Sequence, residues 1–356
     1  MFNITSFTRI KSNLSFVLIL LISSFGVIHA QQTIDILLPN GGFEIDGDLQ
    51  EGTYGADPGG DWLIGVPPNG NGFAFDNVTG PLDSNTTHLE QDEWNGNDNI
   101  FKSGKFNDDP AIWQWSYGKA GGKGDVNNMA YHLGKDASGD EWIMFFGDRL
   151  STNGTSYIDF EFFQETVTAD PDFGFSTAGL DGGRTENDIL LTVEYVNGGS
   201  SANVDFYFWQ PDGSGGFNYL QVPTNVSTAV SVSNAALVNI PPAYTAFGNN
   251  TYSSLQFVEG AVNLSAIFGS LSDPCIGVSF ETMLVKTKSS ASATAALNDF
   301  VGPQQVSFSF GTAEISYGND GMFCQSEGPV QVAQTGITEG MYTSSPAGLI
   351  LNSVTG

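Results

Sequence analysis

Glu44, Asp46 and Asp48 stand at alternate positions in Phe43-Glu44-Ile45-Asp46-Gly47-Asp48, with Glu51 and Asp61 close behind. Alternate side chains of an extended backbone leave on the same side, so three carboxylates would face one point. Carboxylate oxygens at that spacing suit a hard cation, and Ca2+ takes about 6–8 oxygens, backbone carbonyls included. Glu44, Asp46, Asp48 and Asp61 are therefore the candidate Ca2+ ligands. Two plainer readings stand beside this one: a solvated acidic turn, or carboxylates that cap backbone amides. The full EF-hand loop pattern does not occur here. A second acidic turn at 136–141 (Asp-Ala-Ser-Gly-Asp-Glu) reads as solvated.

Some jelly-roll glycoside hydrolases carry Glu-x-Asp-x-x-Glu on one strand, and Glu44-x-Asp46 begins that pattern. Retaining hydrolysis needs acid and nucleophile about 5–5.5 Å apart. Leu49 stands where the acid belongs, and Gly47 favours a turn over a catalytic strand. No catalytic residue is assigned, and a hydrolase ranks third among the functional readings. Trp113 and Trp115 share a face if their segment is a strand. Exposed, they would stack on sugar rings beside Asp and Asn acceptors; buried, they are sandwich core.

Phe173 to Gly179 nearly matches a Gly-x-Ser-x-Gly elbow, but Ala178 replaces the second Gly and no strand-to-helix pattern follows. Beyond the leader, the only histidines are His88 and His132. HExxH and GxxxxGK[ST] do not occur, which removes zinc-protease and P-loop readings. Lys123 and Arg149 are scarce cations expected to pair with carboxylates, Arg149 with the adjacent Asp148 as a plausible internal pair.

The elements that must position these groups are strands. Ile158, Phe160 and Phe162 alternate with Asp159 and Glu161, a period of two. Ile189 to Val196, a Gly-rich turn, and Val204, Phe206 and Phe208 read as a hairpin. Further strands are expected at 219–222, 278–286 and 306–310. Only 260–268 and 291–300 have room for one or two helical turns. Residues 41–128 are rich in Gly, Asn and Asp, with short strands and long loops of the kind that are functional or metal-stabilised. Regularly spaced short strands and turns imply an all-β, jelly-roll-like antiparallel sandwich.

The 356 residues carry 39 acidic and 11 basic side chains, a net charge of −28, with 40% hydrophobic and only 14% charged residues. Such acidity argues against nucleic acid, whose phosphates are bound by Lys and Arg, and against anionic membrane surfaces; it favours divalent cations and solubility. Residues 1–30 have the layout of a secretory signal peptide: basic Arg9 and Lys11, an apolar run at 14–28, and Ala30 before Gln31. That run is short for a spanning helix, which needs about 20 residues, so no membrane insertion is expected after cleavage. Two cysteines, Cys275 and Cys324, do not make a disulfide framework.

With Phe43-Glu44-x-Asp46-Gly47, Asp61-Trp62, Lys123-x-Asp125 with Asn128, Phe146-Gly147-Asp148-Arg149, Phe160-Glu161-Phe162 and Lys286-Thr287-Lys288-Ser289-Ser290, the chain resembles a secreted N-terminal module of large bacterial surface proteins. From about residue 312, Tyr317, Phe323-Cys324, Tyr342 and Pro346 to Leu349 are similar to immunoglobulin-like repeats of Bacteroidetes-type adhesins and gliding-associated proteins. The resemblance implies a cell-surface, multi-domain, non-catalytic architecture and supplies no binding residues. The expected domains are a leader at 1–30, a β-sandwich at 31–311, and the truncated start of an immunoglobulin-like repeat at 312–356. The expected role is an extracellular adhesin-like module that binds surface glycans or another surface protein, with Ca2+ stiffening acidic loops. A purely structural stalk cap is the alternative.

Overall fold

The computed structural model describes residues 34–36, 43–50, 60–63, 74–76, 80–136, 138–196, 201–225, 227–269, 277–310, 313–317 and 332–336, with Tyr342 and Asn352. The expected leader, both cysteines and the 311/312 boundary lie outside the described residues. Thirteen strands build the body: β1 (Thr87–Gln91), β2 (Asp98–Ser103), β3 (Gln114–Gly118), β4 (Asn128–Lys135), β5 (Glu141–Asp148), β6 (Ser156–Phe163), β7 (Ile189–Val196), β8 (Ser201–Pro211), β9 (Phe217–Val222), β10 (Ala229–Ser233), β11 (Phe257–Asn263), β12 (Val278–Lys288) and β13 (Leu297–Phe310). They form two antiparallel sheets, ordered β9-β8-β7-β6-β12-β13-β2-β3 and β10-β11-β5-β4-β1. The fold is the expected all-β sandwich.

Period-two alternation sorts side chains between faces. Ile158, Phe160 and Phe162 of β6, Leu191 and Val193 of β7, and Phe206 and Phe208 of β8 meet Met129, Tyr131, Ile143, Phe145 and Val258 of the small sheet in one core. The opposite faces are covered as well. Ala130, Met144, Phe146, Phe257 and Ala261 on the outside of the small sheet lie under Phe43, Ile45, Leu49, Trp62 and Phe75. On the outside of the large sheet, Phe101, Phe163, Leu284 and Phe300 pack with Trp113, Trp115, Val167 and Phe175. The long polar stretch at 41–128 is ordered in these parts because its few aromatics cap exposed sheet faces.

Several expectations shift in detail. Residues 260–268 divide between the end of β11 and a five-residue α-helix (Leu264–Phe268), capped by Asn263 Oδ1 accepting from Ala266 N at 2.8 Å. Of residues 291–300, Leu297 onward is strand, the first part of the long β13. Its Leu297 and Phe300 bury beneath Trp113 and Trp115, and tertiary packing overrides the weak helical signal. Ala313–Tyr317 is a strand, as expected, and pairs antiparallel with Val332–Gly336.

Candidate functional site

The N-terminal segment brings three of the four expected ligands together. Phe43–Ile45 pairs with Ile34–Ile36, and Glu44 N donates to Gly60 O at 2.7 Å, which places Asp61 beside the turn that follows. At Gly47 the backbone takes φ 92°, a conformation that suits glycine. Asp46, Asp48 and Asp61 each offer an oxygen within 4.8 Å of the others. Glu44 is buried on the strand and is not one of that set; the turn at Gly47 ends the simple alternation that put 44, 46 and 48 on one line.

Glu259, from the middle of β11, closes this cluster from below and was not anticipated. Its Oε1 accepts from Asp46 N at 2.8 Å and Gly47 N at 2.6 Å, and its Oε2 from Trp62 Nε1 at 2.8 Å. Asp61 Oδ1 accepts from Trp62 N at 2.6 Å, while its buried Oδ2 accepts from no donor. Burial first, then Glu259, Asp46 and Asp48, push the Asp61 carboxyl well above its ordinary value. Burial and then Asp46 do the same to Glu259. Each carboxylate that adds to the strain on Asp61 would be relieved by a cation among these oxygens.

A second carboxylate cluster lies where the chain passes from the small sheet to the large one. Asp92 follows β1, Asp98 opens β2, and Asp299 sits on β13 opposite Ile100; these three bring oxygens within 4.8 Å of one another. Asp125, before β4, acts on all three electrostatically. Burial and then Asp98 push Asp92 up to about 8; burial and then Asp125 push Asp98 up to about 6. In the sequence, 95–98 reads as loop punctuation and 291–300 has room for one or two helical turns. The signal was Asp92 and Asp98 flanking Asn95-Gly96-Asn97, but Asp299, some two hundred residues away, becomes a neighbour only once β13 pairs with β2.

The acidic turn at 136–141 is occupied by its own hairpin. Asp136 Oδ1 accepts from Ser138 N and Asp140 N, and its Oδ2 from Trp142 Nε1. Arg149 does not take Asp148 as its hydrogen-bond partner. It donates to Leu255 O, Gly154 O and Ser156 Oγ, and its guanidinium lies 4.0 Å from the Tyr195 ring centroid. Asp148 accepts instead from Asn127 N, Asn128 N and Tyr252 OH. Lys123 donates to Thr155 O. Ser176 donates to Asp170 Oδ2 on the large-sheet side, while His88 and His132 lie on β1 and β4, so the elbow-like sequence meets neither histidine.

Trp113 and Trp115 do not form an exposed stacking surface. They are 1% and 8% exposed, held in the aromatic layer with Phe101, Phe175 and Phe300. The reason is that they cover the outer face of the large sheet, sharing that role with Val167 and Phe175. Exposed aromatic surface lies one step further out. Tyr117 on edge strand β3 is 59% exposed and Phe173 is 43% exposed, their ring centroids 5.9 Å apart and both edge-on to Trp115. Phe173 has φ 70°, costly for a bulky residue; Trp115 N donates to its carbonyl at 2.9 Å and Trp115 Nε1 to Gly174 O at 3.1 Å.

Compared with known protein families, curated proteins and solved structures, the chain matches none of them.

Proposed function

We propose that the chain is a secreted, adhesin-like module without catalytic activity, which binds surface glycans at the β3 edge and takes Ca2+ at Asp46, Asp48 and Asp61. The observation that carries the binding role is the Tyr117–Phe173 pair. Among the described residues these are the two aromatics in the set of exposed large apolar side chains, and they are neighbours. Aromatic faces beside hydrogen-bonding groups suit sugar rings, which are apolar on one face and polar at the rim. Asp170, whose carboxylate accepts from Thr168 Oγ1 and Ser176 Oγ, stands at the base of the same turn, its carbonyl accepting from Phe173 N.

The buried Asp61 oxygen without a donor supports the Ca2+ assignment. A stalk cap that binds nothing is the second reading, and the burial of Trp113 and Trp115 favours it. A glycan array probed with the Ca2+-loaded full chain separates the two. Binding that disappears in Tyr117→Ala/Phe173→Ala supports the module; an array without signal, or one indifferent to that double substitution, removes the β3 edge as a sugar site.

A further inference from the structure

We propose that Asp92, Asp98, Asp125 and Asp299 form a second Ca2+ site, separate from Asp46–Asp48–Asp61, that clamps the two sheets together at the β1–β2 crossover. Convergence of acids alone would not carry this. What adds to it is that Asp98 is 0% exposed and neither of its carboxylate oxygens accepts a hydrogen bond. Asp125, from a different stretch of chain, is also fully buried, with Oδ1 lacking a donor. Asp92 Oδ2 is a fourth buried oxygen in this condition. Buried acceptors of this kind are rare because each forfeits its hydration without return.

The remaining oxygens are held in place by the backbone. Asp299 Oδ2 accepts from Val126 N at 2.9 Å and Oδ1 from Phe300 N at 3.0 Å; Asp125 Oδ2 accepts from Asn95 N at 3.3 Å. Asp92 and Asn127 exchange two hydrogen bonds, Asp92 N to Asn127 O at 2.8 Å and Asn127 Nδ2 to Asp92 O at 2.6 Å. The Asp299 and Asp125 carboxylates and the Asp92 backbone are thus held in place before any cation arrives. Among the described residues, Lys119 is a basic group that bears on the cluster: it acts on Asp125 and donates to Asn95 Oδ1, and it is exposed. Glu93 adds a further negative charge. A hard divalent ion that accepts irregular, carboxylate-rich coordination fits this set, whereas Mg2+ prefers to keep several waters in a strict octahedron.

The four ligands come from the end of β1, the start of β2, the approach to β4, and β13. A cation among them would bind small-sheet and large-sheet elements to one point. To test this, the full chain is stripped with EGTA and titrated with CaCl2 by calorimetry, beside Asp98→Asn, Asp92→Asn and Asp61→Asn. Asp98→Asn is expected to lose one equivalent of Ca2+ that Asp61→Asn retains, and half-buried Asp92→Asn to weaken that same equivalent at least tenfold. Should Asp98→Asn fail to fold by circular dichroism, Asp92→Asn decides the matter. Wild-type stoichiometry and affinity in both crossover variants overturns the proposal, as does a wild type that takes up no Ca2+. Loss of Ca2+ in Asp61→Asn alone would leave the first site standing and remove this one.

Discussion

On the outer face of the large sheet, Asp159 and Glu161 are buried beside Lys288, Lys286 and Arg184; at the β1–β2 crossover, Asp92, Asp98 and Asp299 gather beside one another, with Asp125 acting on all three. Both regions bring carboxylates together away from water. In the first, Arg184 Nε donates to Glu161 Oε1 at 2.6 Å, Tyr219 OH to the same oxygen at 2.5 Å, and Lys288 Nζ to Asp159 Oδ1 at 2.6 Å. Arg184 also lies over Trp209, 4.5 Å from the ring centroid, and donates to Asp108 O. The chain has 11 basic residues in all, and three of them lie against two acids here. With so few cations, placing three at one site shows that the fold supplies an internal counter-charge where a permanent one is needed. The crossover cluster receives none in contact with a carboxylate among the described residues, and the proposed Ca2+ would be its counter-charge.

The largest effect should come from making the first region resemble the second. Arg184→Ala leaves Glu161 buried without its main partner. Breaking a buried pair from one side costs about 3–5 kcal/mol, read as a lower urea midpoint. Arg184→Met combined with Glu161→Gln should recover most of that loss, because contacting groups are not additive. A single-variant cost below about 1 kcal/mol would show that the network is not what neutralises Glu161.

Next in size is the cation itself. Ca2+ at about 100 times its Kd stabilises a folded chain by about 2.7 kcal/mol per site, about 4 °C in a protein of this size. The melting temperature should rise by at least that much from EGTA to Ca2+. Asp61→Asn should melt higher than the wild type in EGTA, since it removes one of several crowded charges while keeping an acceptor for Trp62 N. It should gain less from Ca2+. Identical melts in EGTA and Ca2+ would abolish the contrast between the two regions.

How far the sequence reveals these sites depends on how local they are. Strand positions and the inner core follow from alternation in β6, β7 and β8, because a period of two can be read within eight residues. Asp46, Asp48 and Asp61 were legible since one turn and one neighbouring segment hold them. Glu259, Asp299 and the partners of Glu161 were not, because strand pairing across the whole chain brings them in. Alternation also says which residues share a face, not what covers that face. Asp159 and Glu161 look like solvent-facing positions until the segments carrying Phe106, Trp113 and Arg184 fold over them. Trp113 and Trp115 are the mirror case: the same cover takes them out of solvent.

The finest discrimination between the regions is a titration at Lys286. Burial holds its ammonium group down to about 7, against an ordinary 10.5, with Lys288 adding to the shift and Asp159 opposing it. Between those two values the unfolded chain binds a proton that the folded chain does not, so folding becomes more favourable as pH rises from about 7 toward 10. Lys286→Met keeps the length and apolar character of the side chain and removes that proton. Glu161 keeps Arg184 and Tyr219 as donors, so the substitution should leave stability at pH 7 unchanged or slightly raised. The rise in urea midpoint between about pH 7 and 10 should become shallower without vanishing, because burial lowers Lys288 as well. An unaltered slope would mean that Lys286 stays charged in the fold. The face would then hold three full cations against two acids, a surplus opposite in sign to that of the crossover cluster.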